Sequence, residues 1–420
     1  MTSTPAPDLA ALIGIDWADT HHDISLQATD GTPVESRRIA HTPAALAEWL
    51  AGLGRRFGGR PLGVAVETSR GPLIHALLEH AFIVLYPVNP RSLKRFREAF
   101  TPSGAKDDAP DAELLRELLA KHRDRLPAWR PDTPATRAVQ RLTQQRRTLV
   151  DQGTQFVQQL TAVLKEYFPH ALDWCGELRD PLAGDFLRRW PTLEALQRAR
   201  PQTVRQFYQA HHCRGAARIA ARIEAIRHAV PLTRDPAIIA PAVLMVQALV
   251  AQLAALRESV ARFDAEIAER FAAHEDAPLF AALPGSGPVL APRLLVAFGT
   301  DRSRFPAAQD MQEASGIAPV TVRSGNQTAV HWRWATPTFT RQTFHEFARQ
   351  SIHRCAWAHA YYVTQRERGK SSNAAFRALA FKWIRILWAC WYHRTPYDDA
   401  AYTRALQRRG SPLAARIAAA

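Results

Sequence analysis

The sequence predicts an α/β unit built on one mixed sheet, then long coiled-coil helices, then a mainly helical C-terminal unit. Three observations carry this. Short apolar runs rich in β-branched residues alternate with helical patterns over residues 1–128. Two later stretches repeat apolar residues at spacings of three and four. The last third of the chain is basic and interleaved with Trp, Tyr and Phe.

The first strand is the apolar run Ala11–Ile15, which carries one acid, Asp16, at its end. Asp is depleted in strands and costly to bury unpaired, so its placement is informative. The chain turns through Ala18-Asp19-Thr20 into a second strand, His22–Ala28, and a third, Pro33–Ala40. Thr42-Pro43 sets a helix start, with a capping Thr and proline at the first helical position, running to about Leu53. Pro61–Val66 is a fourth strand ending on Glu67, Gly71–His80 a helix, Phe82–Val88 a fifth strand, and Arg91–Phe100 a basic helix. Three meander strands followed by helix–strand–helix–strand and closing helices is the order of the ribonuclease H-like fold.

After the break at Pro102–Gly104 comes KDDAPDAELLRELLAKH, which puts Asp108 and Asp111 at the start of a late helix. Residues three apart share a helix face, so both carboxylates can point at one spot. Acids at a helix start are also favoured by the helix dipole alone. With Asp16 on the first strand and Glu67 at the C-terminal end of the fourth, four carboxylates converge and require a cation. Hard oxygen ligands suit Mg²⁺ or Mn²⁺. Asp107 competes with Asp108 but is not spaced to share a face with Asp111.

Pro127–Pro134 reads as a linker. Beyond it Val139, Leu142, Leu149, Phe156, Leu160, Val163 and Tyr167 form one apolar seam. Val246, Leu249, Leu253, Leu256, Val260, Phe263 and Ile267 form another. Both suit a coiled-coil hairpin, contacts between protomers, or a plain bundle. The Arg-rich segment between, about 169–241, reads as a helical insertion.

From Leu283 to Phe298 a Gly285-Ser286-Gly287 turn opens a helix, and its backbone N–H groups could hold a phosphate. In Ala314–Ala335, Ser324-Gly325-Asn326 is a polar break between extended runs, flanked by Arg323, Arg333, Trp332 and Trp334. A serine there could attack a phosphodiester with arginines offsetting charge, or could be a turn residue only. Two aromatic helices, Phe339–Tyr362 and Ser372–His393, bear Arg377, Lys382 and Arg385 and flank a basic loop that includes Lys370.

The chain has 420 residues, 54 Lys and Arg against 39 Asp and Glu, a net charge of +15 and a pI near 10.3. Residues 301–420 hold 18 of those cations and 7 of the acids, which points to a polyanionic partner, nucleic acid first. Cys175, Cys213, Cys355 and Cys390 are scattered, which argues against a zinc site or a disulfide framework. No secretory signal pattern opens the chain, and the apolar run Phe381–Tyr392 is too short for a bilayer and contains Lys382 and Arg385. A soluble, cytoplasmic protein with no membrane partner is expected.

Taken in order, IGIDWA with Asp16, AVETS with Glu67, KDDAPDA with Asp108 and Asp111, LPGSGPVLA and SGIAPVTVRSGNQ resemble the DEDD-type insertion-sequence transposases of the insertion-sequence one-ten family. The resemblance covers nearly the whole chain. Where the family has Lys-Thr-Asp-x-x-Asp-Ala, Asp107 replaces the Thr and Pro110 precedes Asp111. Its Ser-Ser-Gly-Gly becomes Arg323-Ser324-Gly325-Asn326, which singles out Ser324 from Ser286, Ser303 and Ser315 as the nucleophile.

The resemblance implies a RuvC-like DEDD domain over 1–128, coiled-coil helices over 135–275 and a C-terminal serine transposase domain over 276–420. It further implies catalysis by Asp16, Glu67, Asp108, Asp111 and Ser324, with Mg²⁺ or Mn²⁺ at the four acids. Nucleic acid would be bound by Gly285, Gly287, Arg323, Trp332, Arg333, Lys370, Arg377 and Lys382. The implied partners are donor and target DNA, a structured non-coding bridge RNA and further copies in a homodimer or homotetramer. The implied setting is the bacterial cytoplasm, at the nucleoid when acting. One alternative is a metal-dependent RuvC-like junction resolvase or nuclease in which the serine is idle. A sugar kinase of the actin-like type would need a Gly-Thr turn where Trp17-Ala18-Asp19 stands. A non-catalytic regulator leaves the four acids unexplained.

Overall fold

The structure, a computed structural model, describes residues 8–68, 70–100, 111–325, 327–333 and 336–418. It divides into two compact units, Met1–Pro131 and Asp132–Ala420.

The first unit is mixed α/β. Its strands are β1 (Ala11–Trp17), β2 (His21–Ala28), β3 (Glu35–Ala40), β4 (Leu62–Val66) and β5 (Ile83–Pro87), in the order β3-β2-β1-β4-β5. β1, β2 and β3 pair antiparallel, whereas β1, β4 and β5 run parallel. The helices are α1 (Pro43–Arg56), α2 (Pro72–Leu78), α3 (Pro90–Phe100) and α4 (Asp111–His122). Thr42 caps α1 as expected, its hydroxyl oxygen accepting the Ala45 N–H at 3.3 Å. Every residue of β4 is buried, the pattern of a central parallel strand covered on both faces. Ile13, Ile15, Trp49, Leu50, Leu73 and Leu77 form one core layer, and Ala65, Tyr86, Leu93, Leu115 and Leu119 another. Part of the proline-marked linker belongs to this sheet, because the Trp129 N–H bonds the Leu85 carbonyl at 2.7 Å.

The second unit is mostly helical. α5 (Pro134–Tyr167) and α11 (Pro236–Ala272) pack along each other, and between them lie α6 (Ala171–Trp174), α7 (Pro181–Arg189), α8 (Leu193–Gln197), α9 (Pro201–Ala210) and α10 (Ala216–His228). The pair is antiparallel: Thr136 meets His274, Arg146 meets Asp264, and Gly153 lies against Leu256. α11 begins at Pro236, with Asp235 accepting the Ala237 N–H, so Pro241 lies inside the helix. Proline removes only one hydrogen bond there, in the second turn. Among the described residues α11 is the one helix long and apolar enough to cross a bilayer, in place of the shorter Phe381–Tyr392 run. Its Val246, Leu249, Val250 and Leu253 enter the core formed with α7 and α9.

The rest of the unit comprises α12 (Ala277–Ala281), α13 (Gly287–Phe298), α14 (Ala308–Ala314), a hairpin of β6 (Val320–Ser324) and β7 (Gln327–His331), and α15 (Thr338–Ser351). It closes with α16 (Ala356–Glu367), α17 (Ser372–Tyr392), α18 (Asp399–Arg408) and α19 (Pro412–Ala418). Trp357, Trp383, Trp391, Phe298, Phe344 and Phe347 are fully buried in its core. Several tryptophans that suggested a nucleic-acid face are therefore packing residues. Their indole N–H groups are spent inside the protein, Trp383 on the Ser351 hydroxyl at 2.9 Å and Trp391 on the Gly299 carbonyl at 2.7 Å.

Candidate active site

β1 reaches Trp17, so Asp16 lies on the first strand, as the sequence predicts. Parallel pairing of β1 with β4 sets Ile15 opposite Val66, and the next residues are Asp16, still in β1, and Glu67, directly after β4. The C-terminal ends of neighbouring parallel strands thus bring two carboxylates side by side. Asp111 opens α4, which packs across β1. That approach requires a residue without a side chain on the strand, which Gly14 supplies. α4 is also tied to β2, since buried Arg116 donates to the Ser25 hydroxyl at 3.1 Å and to Gln27 at 2.6 Å.

The three acids repel one another. Burial pushes the Asp16 carboxyl above its ordinary value, and the charges of Asp111 and Asp23 push it further. Burial raises Glu67 likewise, with Asp111 and Asp16 adding to it. Arg97 of α3 opposes both shifts, and its guanidinium donates to Asp111. Asp23 stands opposite Asp16 across the antiparallel pair but is held by Arg38 at 2.8 and 3.0 Å, which lowers its pKa. Asp107 and Asp108 lie outside the described residues. Among the described residues no set of three or more His, Cys, Asp or Glu forms a metal centre. Arg97, Arg116 and Gly14 escaped the sequence reading. The signal available for Arg97 was a basic helix immediately before the acid-rich stretch.

The remaining sequence candidates lie in the second unit. Ser324 is the last residue of β6 and pairs with Gln327, so it precedes the turn. Gly325 takes φ 55° there, a left-handed conformation that glycine adopts without strain. Arg323 and all of β7 are exposed. The indole of Trp332, 41% exposed, has the Arg377 guanidinium 3.8 Å from its ring centre. Arg333 pairs with Glu313 at 3.5 Å, so much of its charge is offset within the protein. Lys370 is exposed in the loop before α17. Lys382 lies 5.5–6.0 Å from the rings of Trp357, Tyr361 and Tyr402, and burial with the nearby Arg385 charge lowers its pKa. Gly285 and Gly287 have φ 82° and 55°. A side chain at Gly285 would strike the Gln350 backbone at 2.9 Å, so this glycine also serves close packing against α15. Ser286 is buried and donates to the Leu283 carbonyl, as a turn residue does.

Two family models match the chain. The model of DEDD transposases of the IS110 group, described as a transposase, matches residues 13–169. One described as the transposase IS116/IS110/IS902 family matches residues 277–363. The first span contains the acids and the second contains Ser324. An acid-bearing α/β unit joined to a basic helical unit, under these two models, defines a DNA-processing enzyme of the transposase class.

Three relatives match over nearly their full length. The IS117 mini-circle protein of Streptomyces coelicolor, named as a transposase, is 29% identical over 415 residues, 96% of this chain and 98% of that one. The 42 kDa protein of insertion element IS900 from Mycobacterium paratuberculosis is 27% identical, over 93% of this chain and 98% of its own. The 44.8 kDa protein of insertion element IS116 from Streptomyces clavuligerus is 26% identical, over 90% and 93%. The chain is thus similar along nearly its whole length to transposases of the IS110/IS116 family.

Proposed function

We propose that this transposase is a site-specific DNA recombinase that excises and inserts its element through a transient phosphoserine–DNA link at Ser324. The observation that carries the reading is the gathering of Asp16, Glu67 and Asp111 at the ends of β1, β4 and α4 in a chain similar to this family. The sheet order β3-β2-β1-β4-β5 supports a ribonuclease H-like, RuvC-like identity for the first unit. The antiparallel α5–α11 pair supports a coiled coil over 135–275, leaving 276–420 as the serine transposase domain.

Asp16, Glu67, Asp108 and Asp111 would hold Mg²⁺ or Mn²⁺. The donor set fits: it is all oxygen, its charges repel, and it already draws the Arg97 guanidinium onto Asp111. Such a cation offsets charge on a phosphodiester and polarises it. In the serine step the Ser324 hydroxyl oxygen bonds to phosphorus, the bond to one deoxyribose oxygen breaks, and the hydroxyl proton passes to that freed oxygen. Attack by the hydroxyl end of another strand reverses the step and reseals DNA. Arg323, Trp332, Arg333, Lys370, Arg377 and Lys382, with the N–H groups around Gly285 and Gly287, would hold nucleic acid. A structured guide RNA and a homodimer or homotetramer complete the reading, which places the work at the bacterial nucleoid.

The acid cluster equally favours a second reading, a metal-dependent RuvC-like resolvase or nuclease with an idle serine. Incubating the protein with Mg²⁺, its flanking RNA and labelled donor and target DNA separates them. A protein–DNA adduct absent from Ser324→Ala supports the recombinase. Cleavage without any adduct that survives Ser324→Ala yet vanishes in Asp16→Asn supports the nuclease.

A further inference from the structure

In the second unit, lined by no residue of the Ser324 hairpin, α17, the loop after it and α18 border a groove of about 690 Å³. That lies within the roughly 300–1,000 Å³ of sites that bury a small organic group. Tyr397 and Tyr402 wall it, and Lys382, Arg385 and Arg409 line it with positive charge. Among the described residues no carboxylate ion-pairs with any of the three cations. The one acid lining the groove, Asp398, is spent on the start of α18, where it accepts the Ala401 N–H at 2.9 Å.

The aromatic walls are fixed from behind. The Tyr397 hydroxyl donates to Asp399 at 2.7 Å and accepts the Trp357 indole N–H at 2.7 Å, which turns its polar end away into the protein. Tyr402 packs on Trp357 with ring centres 5.0 Å apart. Burial raises the Tyr402 hydroxyl to about 12 against the opposing charges of Arg409 and Arg385, which places both guanidinium groups in its field.

Unmatched cations beside rigid aromatic rings select a ligand that is anionic and flat. A base inside a duplex has both faces stacked and cannot present one to a tyrosine, whereas an unpaired base can. An acidic peptide would satisfy the charge but leave the tyrosines without a planar partner.

We propose that this groove holds one unpaired nucleotide of a nucleic-acid strand, its phosphate against Arg385 and Arg409 and its base against Tyr402. The assignment rests on the nucleic-acid role of the chain and is independent of the chemistry at Ser324.

The test uses the full-length protein and 12-nucleotide fluorescein-labelled single strands, one DNA carrying 4-thiothymidine and one RNA carrying 4-thiouridine. Arg385 and Arg409 are both exposed, so Arg385→Gln/Arg409→Gln is expected to melt as the wild type does. The double variant should bind about tenfold more weakly, the scale of two exposed ion contacts. Its plot of log affinity against log salt should be shallower by about 0.7, the counterion release of one single-strand phosphate. Ultraviolet light should cross-link the wild type through the peptide bearing Tyr397 and Tyr402. The strand giving the variant-sensitive cross-link, DNA or RNA, identifies the source of the nucleotide. Wild-type affinity and salt slope in the double variant, or cross-links confined to other peptides, would overturn the assignment. Failure of the wild type to bind either strand would overturn it together with the nucleic-acid reading beneath it.

Discussion

A Cβ on Gly14 of β1 would stand 1.9 Å from the carbonyl oxygen of Ala112 on α4, and 2.6 Å from the Arg116 nitrogen. Both neighbours are backbone, so neither can rotate away. Gly14→Ala must therefore lift α4 from the sheet and carry Asp111 away from Asp16. Destabilisation of about 1–3 kcal/mol is expected from the overpacking, with loss of DNA processing. Chemical denaturation with a parallel cleavage assay checks it. Wild-type stability in the variant would show that α4 does not sit this close.

Neutralising one of the acids removes repulsion from the cluster, and on the proposed reading it removes strand cleavage as well. Asp16→Asn and Glu67→Gln should each lower strand cleavage by more than the ~10–100-fold that follows loss of a residue merely supporting a metal ligand. Binding to the native state raises the melting temperature, so MgCl₂ should stabilise the wild type and stabilise either variant less. Equal Mg²⁺-induced shifts in all three proteins would sink the metal role of these carboxylates.

The parts of the site legible in the sequence are those set by local pattern. Asp16 and Glu67 end apolar strand runs, and parallel pairing then makes them neighbours without further information. The Ser324 turn was legible through Gly325, which takes the left-handed conformation such a hairpin demands. Arg97 acts on Asp111 from another helix, and Gly14 matters only because α4 crosses it, so neither leaves a periodic trace. The start of α11 was hidden by Pro241, which reads as a helix breaker but lies in the second turn. Tryptophan content misled for a related reason: composition cannot tell the buried Trp383 from the exposed Trp332.

The ion pair of Arg302 with Asp276 is bidentate, at 2.6 Å on both arms, and Asp276 is only 3% exposed. Arg302 also donates to the Trp391 carbonyl and covers its ring, which joins α12 to the end of α17. Arg302→Met would leave a buried carboxylate without a partner, at a cost of about 3–5 kcal/mol. Urea unfolding followed by tryptophan fluorescence measures this. A loss below about 1 kcal/mol, the range of exposed pairs, would mean that water reaches Asp276 in solution.

His274 supplies a pH dependence. Its ring is buried, Nδ1 accepts the Asp276 N–H at 3.1 Å, and Nε2 meets the Thr136 hydroxyl at 2.9 Å. Accepting at Nδ1 makes Nε2 the protonated nitrogen of a neutral ring, and protonating Nδ1 would break the bond to Asp276. Burial holds its pKa below the ordinary 6.5, with the Arg302 charge adding and the nearby Asp276 and Glu275 opposing. Since the unfolded chain takes up the proton first, stability is constant above that ordinary value. It falls as the pH drops below 6.5 toward the folded pKa. His274→Gln removes this one proton from the balance, so its melting temperature should decline less than that of the wild type between about pH 6.5 and 5. Parallel melting curves for the two proteins over that window would show that the imidazole takes up its proton in the fold as it does in the unfolded chain, with the α5–α12 junction open to water.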